Sequence, residues 1–215
     1  MIKNIIFDLG GVILNIDYNK TSEEFKRLGI KNFDELYSQV RQSGLFDNLE
    51  KGLISEGEFR NELRRLSGVN LSDKAIDKAW NAMLLDLPAG RIEILLEAKK
   101  HYRTFLLSNT NIIHLKAYTS ELKRVHKIDS LGALFEKEFF SHYIRRRKPD
   151  YEAFEYVIKE TGINPAETLF IDDSPQHIEG AKRAGLLTFF MDRSKGLTLD
   201  DIFENGKLIK HISDG

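Results

Sequence analysis

The sequence predicts an α/β fold, a parallel β-sheet with helices on both faces, interrupted early by an all-helical insertion. Three observations carry this. Short apolar runs, partly β-branched or aromatic, recur along the 215 residues, and several are apolar at consecutive positions, as strands covered on both faces are. Helical periods lie between these runs, and strand–helix alternation builds a parallel sheet. Residues 21–86 break the rhythm and hold no convincing strand. The chain is therefore expected to divide into a core of residues 1–16 and 87–215 and a helical cap of residues 17–86.

Taken in order, strands are expected at 2–9, 104–108, 137–141, 168–172 and 187–191. In the insertion, Thr21-x-x-Glu24 and Ser55-x-x-Glu58 have the spacing of capping boxes, in which hydroxyl and carboxylate satisfy the first backbone N–H groups of a helix. Phe33, Leu36, Tyr37 and Val40 share one helical face, and Phe59, Leu63 and Leu66 share another. Ser72 is placed to cap a fourth helix carrying Ile76, Ala79, Trp80 and Met83, and 44–52 reads as a loop. Trp80 is most simply part of the insertion's core. Pro88-Ala89-Gly90 marks the return to the sheet domain. Beyond it, three stripes form: Ile92, Leu95 and Leu96; Phe154, Val157 and Ile158, stopped by Gly162; and Ile178, Ala181 and Ala184, stopped by Gly185. Residues 199–204 read as a short helix before a polar tail.

Composition narrows the function. A chain of this length can bury roughly 70% of its unfolded surface and needs no staples. It has no cysteine, so disulfides and thiolate metal sites are excluded. A net charge of −1 with 30% charged residues argues against nucleic acid or anionic membrane as the main partner. Asp8 interrupts the N-terminal apolar stretch, which lacks a small-residue cleavage site, and no apolar run is long enough to span a bilayer. A cytoplasmic protein, monomer or homodimer, is expected.

Four segments carry chemistry. Asp8 ends the run Ile5-Ile6-Phe7 and opens the turn Leu9-Gly10-Gly11-Val12. A carboxylate released from a buried strand into a glycine turn suits a nucleophile or a metal ligand. Leu106-Leu107-Ser108-Asn109, Arg147-Lys148-Pro149 and Phe170-Ile171-Asp172-Asp173 likewise put polar residues where an apolar run ends or a helix begins. Each alone has a plainer reading: a turn former at Asp8, a helix start with Asp150 as N-cap, or acids favoured at the helix N-terminus after Asp172-Asp173. Together and in order they form a set that handles a phosphoryl group with a divalent ion. A phosphate monoester is nearly a dianion at neutral pH, so an attacking carboxylate needs a lysine and a hard, oxygen-bound cation beside it. Arg145-Arg146-Arg147 reads as a solvated charge run, and His177 as a surface residue or a support to the acidic pair.

These segments resemble the four motifs of the haloacid dehalogenase superfamily over roughly residues 3–192. The resemblance implies a Rossmann-like core, with Asp8 as nucleophile forming an aspartyl-phosphate. It implies Ser108, with Asn109 beside it, and Lys148 as phosphoryl-binding residues, Ser108 and Lys148 also acting in catalysis. Mg²⁺ would be held by Asp8, the Gly10 carbonyl and Asp173 directly, and by Asp172 through water. An all-helical insert directly after the first motif resembles the type 1 cap, and the short stretch from Ser108 to Lys148 leaves no room for the other large cap. The implied activity is a Mg²⁺-dependent phosphatase of a small phosphorylated metabolite, the cap excluding large phosphoproteins. Specificity is expected in 44–52, especially at Phe46, Asn48 and Glu50.

One position departs from the pattern. Most phosphatases of the superfamily carry a second aspartate two residues after the nucleophile, and here that residue is Gly10. Losing a general acid typically costs about 10²–10⁴ in rate. A substrate with a good leaving group avoids the cost, and otherwise Asp172, Asp17 or a metal-linked water must move the proton. Phe-Asp-Leu-Gly-x-Val-Ile resembles a bacterial subgroup that includes an α-D-glucose-1-phosphate phosphatase, which points to a hexose 1-phosphate. A 2-haloacid dehalogenase and a non-catalytic phospholigand-binding protein are the alternatives.

Overall fold

The computed structural model describes all residues except 43, 210, 211 and 213–215, and leaves the side chains of 38–42, Val40 among them, undescribed. Strands β1 (Asn4–Phe7), β2 (Arg103–Ser108), β3 (Lys137–Phe140), β4 (Thr168–Asp172) and β5 (Leu187–Phe190) form one sheet in the order β3-β2-β1-β4-β5. Every neighbouring pair is parallel. Successive side chains of β1 enter different cores. Ile5 and Phe7 join Leu106, Leu169 and Ile171 on one face, whereas Ile6 joins Phe105, Leu107 and Phe170 on the other. Both faces are covered, so consecutive apolar residues are needed. Full burial of each such side chain contributes about 1.5–3 kcal/mol.

Helices α1 (Tyr18–Arg27), α2 (Phe33–Gln42), α3 (Leu45–Glu50), α4 (Glu56–Ser67) and α5 (Asp73–Trp80) follow β1 without an intervening strand. They enclose their own cluster, including Phe25, Phe33, Phe46, Phe59, Ile76 and Trp80, which Ile113 of the sheet domain joins. Helices α6 (Ala89–Ala98), α7 (Ile112–His126), α8 (Ser141–Ile144), α9 (Tyr151–Thr161) and α10 (Pro175–Arg183) then alternate with the remaining strands. Among the described residues no helix is long and apolar enough to cross a membrane.

Three expectations are corrected. Thr21 does not open a helix. Asp17 caps α1 by accepting from the Asn19 N–H at 3.0 Å, and Thr21, buried inside the helix, donates to the Trp80 carbonyl at 3.1 Å. The stretch 44–52 is mostly helix, because Leu45, Phe46 and Leu49 form a stripe that the insertion's core buries. Residues 199–204 hold one 3₁₀ turn (Leu199–Asp201) and then a hairpin of β6 (Phe203–Glu204) with β7 (Lys207–Leu208). The hairpin turn is Asn205-Gly206, both with positive φ, the combination a tight hairpin requires. By contrast Ser55 and Glu58 do form a capping box, and Ser72 accepts from the Ala75 N–H. Asp150 stands at the N-cap of α9, but its side chain makes no cap bond.

The sheet order sets the site. The chain steps outward from β1 to β2 and β3, then returns to the other side of β1 for β4 and β5. The crevice at the carboxyl ends of β1 and β4 is thus a topological switch point, where ligands bind in open α/β sheets.

Candidate active site

Asp8 leaves β1 at that crevice, its N–H donating to the Ile171 carbonyl at 2.9 Å. Asp172 ends β4 and Ser108 ends β2, both buried. Lys148, fully buried, donates from Nζ to Asp8 Oδ1 at 2.6 Å and to Asp172 Oδ2 at 2.7 Å. Asn109 fixes this lysine from its backbone: its amide donates to the Lys148 carbonyl at 2.8 Å and accepts from the Lys148 N–H at 2.9 Å. The Asn109 side chain therefore positions Lys148, a use the sequence did not reveal.

Electrostatics follows the burial. Desolvation pushes the Asp8 carboxyl up to about 7, against the pull of Lys148. Burial also opposes the charge on Lys148, but Asp172 and Asp8 outweigh it and hold the ammonium above the ordinary lysine value. Asp172 is buried too, yet Lys148 and His177 keep it below the usual carboxylate range. His177 Nδ1 lies 3.0 Å from both Asp172 oxygens, and the Ser174 N–H donates to Oδ1 at 2.8 Å. Asp172 is thus held by protein donors on every side. Asp173 is more open, with Arg193 3.5 Å from Oδ2, and burial with Asp172 beside it raises its pKa.

Oxygens of Asp8, Asp172 and Asp173 lie within 4.8 Å of one another. Crowded carboxylates, two of them pushed toward protonation, are a hard oxygen-donor set that a divalent cation would relieve. Mg²⁺ fits, since it takes one or two carboxylates and completes its shell with water and substrate phosphate.

A cavity of about 120 Å³ opens beside these groups, lined by Gly10, Ser108 and Asn109 from the sheet edge and by Phe46, Glu50 and Trp80 from the insertion. The family model for haloacid dehalogenase-like hydrolases matches residues 2–185. The chain belongs to that family.

Related proteins agree. The chain is 35% identical over 190 residues to D-ribitol-5-phosphate phosphatase of Bacteroides thetaiotaomicron, covering 88% of this chain and 91% of the relative. It is similar to the structure of a HAD family enzyme of the same organism in complex with magnesium and inorganic phosphate, with TM-score 0.83, 36% identity and 99% of each chain covered. The L-2-haloacid dehalogenase of Xanthobacter autotrophicus shares the fold, with TM-score 0.61, 20% identity, 90% of this chain and 78% of that chain covered.

Some residues around this hydrolase's site were not legible beforehand. Arg147 is not a solvated charge. It pairs with Asp47 and, at 3.1 Å, with Glu50, joining α3 to the loop that carries Lys148. Its neighbour Arg146 lies over the Tyr156 ring at 4.8 Å. Burial pushes the Glu50 carboxyl up, with Arg147 opposing. His114 is buried, stacked on Trp80 at 5.2 Å, with Nδ1 2.9 Å from Asn81 Oδ1, and desolvation drives its pKa down to about 3. Arg193 also donates to the Ile16 carbonyl at 3.0 Å. A single basic residue after a strand gives no sequence signal for such a role.

Proposed function

We propose that this hydrolase is a Mg²⁺-dependent phosphatase of a small phosphorylated sugar or polyol, working through an aspartyl-phosphate on Asp8. The observation that carries the reading is Lys148 Nζ between Asp8 and Asp172, with Asp173 completing the acidic cluster. Phosphoryl oxygens would be held by the Ser108 hydroxyl and the Lys148 ammonium, which offsets their charge as the carboxylate approaches. Asp8 attacks phosphorus with one carboxylate oxygen, the phosphorus–oxygen ester bond breaks with its electron pair on the leaving oxygen, and that oxygen takes a proton from water and departs as the alcohol. Water then attacks the phosphorus of the aspartyl-phosphate and gives up a proton to solvent, and the bond between phosphorus and the carboxylate oxygen breaks, releasing inorganic phosphate and regenerating Asp8. Two steps replace one difficult hydrolysis. Asp8, Asp173 and the Gly10 carbonyl would hold Mg²⁺, with Asp172 reaching it through water. The ion supplies further charge neutralisation to the phosphoryl group. The helices between β1 and α6 act as the cap over this site.

Two substrates lead. With glycine at position 10 there is no carboxylic acid two residues from the nucleophile, which favours the good anomeric leaving group of a hexose 1-phosphate. The relative named for D-ribitol 5-phosphate favours a pentitol phosphate instead. The test is phosphate release from an aryl phosphate and a panel of sugar and polyol phosphates with Mg²⁺. Release should vanish with EDTA and fall at least about a thousandfold in Asp8→Asn. Activity that survives Asp8→Asn would sink the reading, and metal-independent halide release from a 2-haloacid would put the dehalogenase chemistry in its place.

A further inference from the structure

Helix α3 of the insertion bears on the segment that carries Lys148. Gly52, just after α3, has φ +62°, and a Cβ there would stand 2.2 Å from the His142 carbonyl oxygen, so a glycine is needed for the two backbones to meet. Charged contacts follow along the same segment. Arg147 pairs with Asp47 and, at 3.1 Å from Nη2, with Glu50, while Lys51 Nζ lies 3.9 Å from Asp150 Oδ2. The Arg147 side chain is only 24% exposed and reaches two carboxylates of one helix, a task that suits a guanidinium fork better than an ammonium.

Lys148 is the next residue, and its partners lie in the sheet domain. Its N–H and carbonyl both bond the Asn109 amide, just after β2, and its Nζ reaches Asp8 and Asp172. Adjacent residues are thus tied to different parts of the fold, Lys148 to the sheet edge and Arg147 to the insertion. Helix α3 also supplies Phe46 and Glu50 to the wall of the cavity beside Ser108. The element that walls the cavity is therefore the element that anchors Arg147.

We propose that Arg147 is a positioning residue: by pairing with Asp47 and Glu50 it registers the Lys148 ammonium against Asp8 and Asp172 while the insertion is seated over the site. This rests on the phosphatase reading above, in which Lys148 offsets phosphoryl charge. Misplacing a reacting group by about 1 Å can cost about a hundredfold in rate, so a loosened segment lowers turnover more than binding. A second ion pair supplies the control. Lys116, on α7, meets Glu56, on α4, at 2.7 Å and also ties the insertion to the sheet domain, but from α7 rather than from the segment carrying Lys148.

The experiment measures kcat and KM for an aryl phosphate with Mg²⁺ in the wild type, Arg147→Met, Arg147→Lys, Asp47→Asn, the double variant Arg147→Met with Asp47→Asn, and Lys116→Met. Arg147→Met should lower kcat about tenfold while KM changes less than about threefold. Arg147→Lys should recover part of the loss and Asp47→Asn should show part of it. The double variant should fall no further than Arg147→Met, because the partner is already gone. Lys116→Met should keep kcat within about twofold. An unchanged kcat in Arg147→Met, an equal fall in Lys116→Met, or additive losses in the double variant overturns the proposal. Should Arg147→Met fail to fold, Arg147→Lys and Asp47→Asn decide, and full kcat in both overturns it.

Acetylation of Lys148 gives a readout free of turnover. The amine is fully buried. Without Mg²⁺, an amine-acetylating reagent followed by peptide mass spectrometry should modify it at least about fivefold faster in Arg147→Met than in the wild type or Lys116→Met. If the wild type releases no phosphate from any ester, the phosphatase reading falls and this rate alone decides the positioning. Equal rates in the three proteins overturn it.

Discussion

A Cβ placed on Gly11 would stand 1.9 Å from Asp173 Oδ2, well inside any tolerable contact. Gly11 also has φ +80°, the left-handed region that glycine adopts without penalty. The turn after Asp8 and the acidic residue after β4 thus approach through a missing side chain. Gly11→Ala should displace the Asp173 carboxylate and raise the Mg²⁺ concentration for half-maximal activity by about 10–100-fold. A Mg²⁺ titration of phosphate release checks this, and an unchanged midpoint would detach Asp173 from the metal.

Lys148 is the cation that lets Asp8 and Asp172 be buried together. Lys148→Met keeps the stem's length and removes the charge, leaving two buried carboxylates without the cation between them. Breaking a buried pair in this way costs about 3–5 kcal/mol. Urea unfolding without metal should show a loss of that size, and Mg²⁺ should restore part of the stability without restoring turnover. A variant as stable as the wild type in EDTA would contradict the ion-pair geometry.

Gly10 can be given the missing acid. A Cβ there meets Ile16 Cδ1 at 3.3 Å, the end of a flexible side chain that has only to shift slightly. Gly10→Asp should raise kcat on poor alkyl leaving groups by about 10²-fold, at the low end for a general acid, with little effect on acetyl phosphate. Gly10→Ala is the steric control. No gain on any alkyl ester would mean that another group already delivers the proton.

His114 should make the fold acid-sensitive. Its folded pKa, driven by burial down to about 3, lies below the ordinary histidine value of 6.5. Between these two values the unfolded chain binds the proton and the folded chain does not, so stability is fully present above 6.5 and declines as pH falls. The slope is at most about 1.4 kcal/mol per pH unit. Urea unfolding at several pH values between 3.5 and 7 (pH settings spanning about this range) should show a flatter profile in His114→Gln. An identical profile would move the acid sensitivity elsewhere.

The strands were legible because burial on both faces demands consecutive apolar residues, and β4 matches its expected bounds, 168–172. Ser55 and Ser72 were legible as caps because capping is settled within four residues. Thr21 misled for the same reason: its capping spacing is local, while its actual partner is the Trp80 carbonyl, 59 positions away. The helix in 44–52 was hidden by glycines at both ends, and only burial against the insertion's core explains its stripe.

By itself the sequence determined where the acidic, hydroxyl and basic residues leave buried strands or enter helices, since strand ends and turns are read from neighbouring residues. The tertiary structure alone decided what those residues do to one another. Lys148 meets Asp8 across 140 positions, Arg147 meets Asp47 across 100, and Arg193 meets Asp173 across 20. Glu50 and Trp80 come to share one cavity through packing of the insertion. Such contacts depend on sheet order and on how the insertion seats, and those are set by the summed burial of the whole chain rather than by any segment of it.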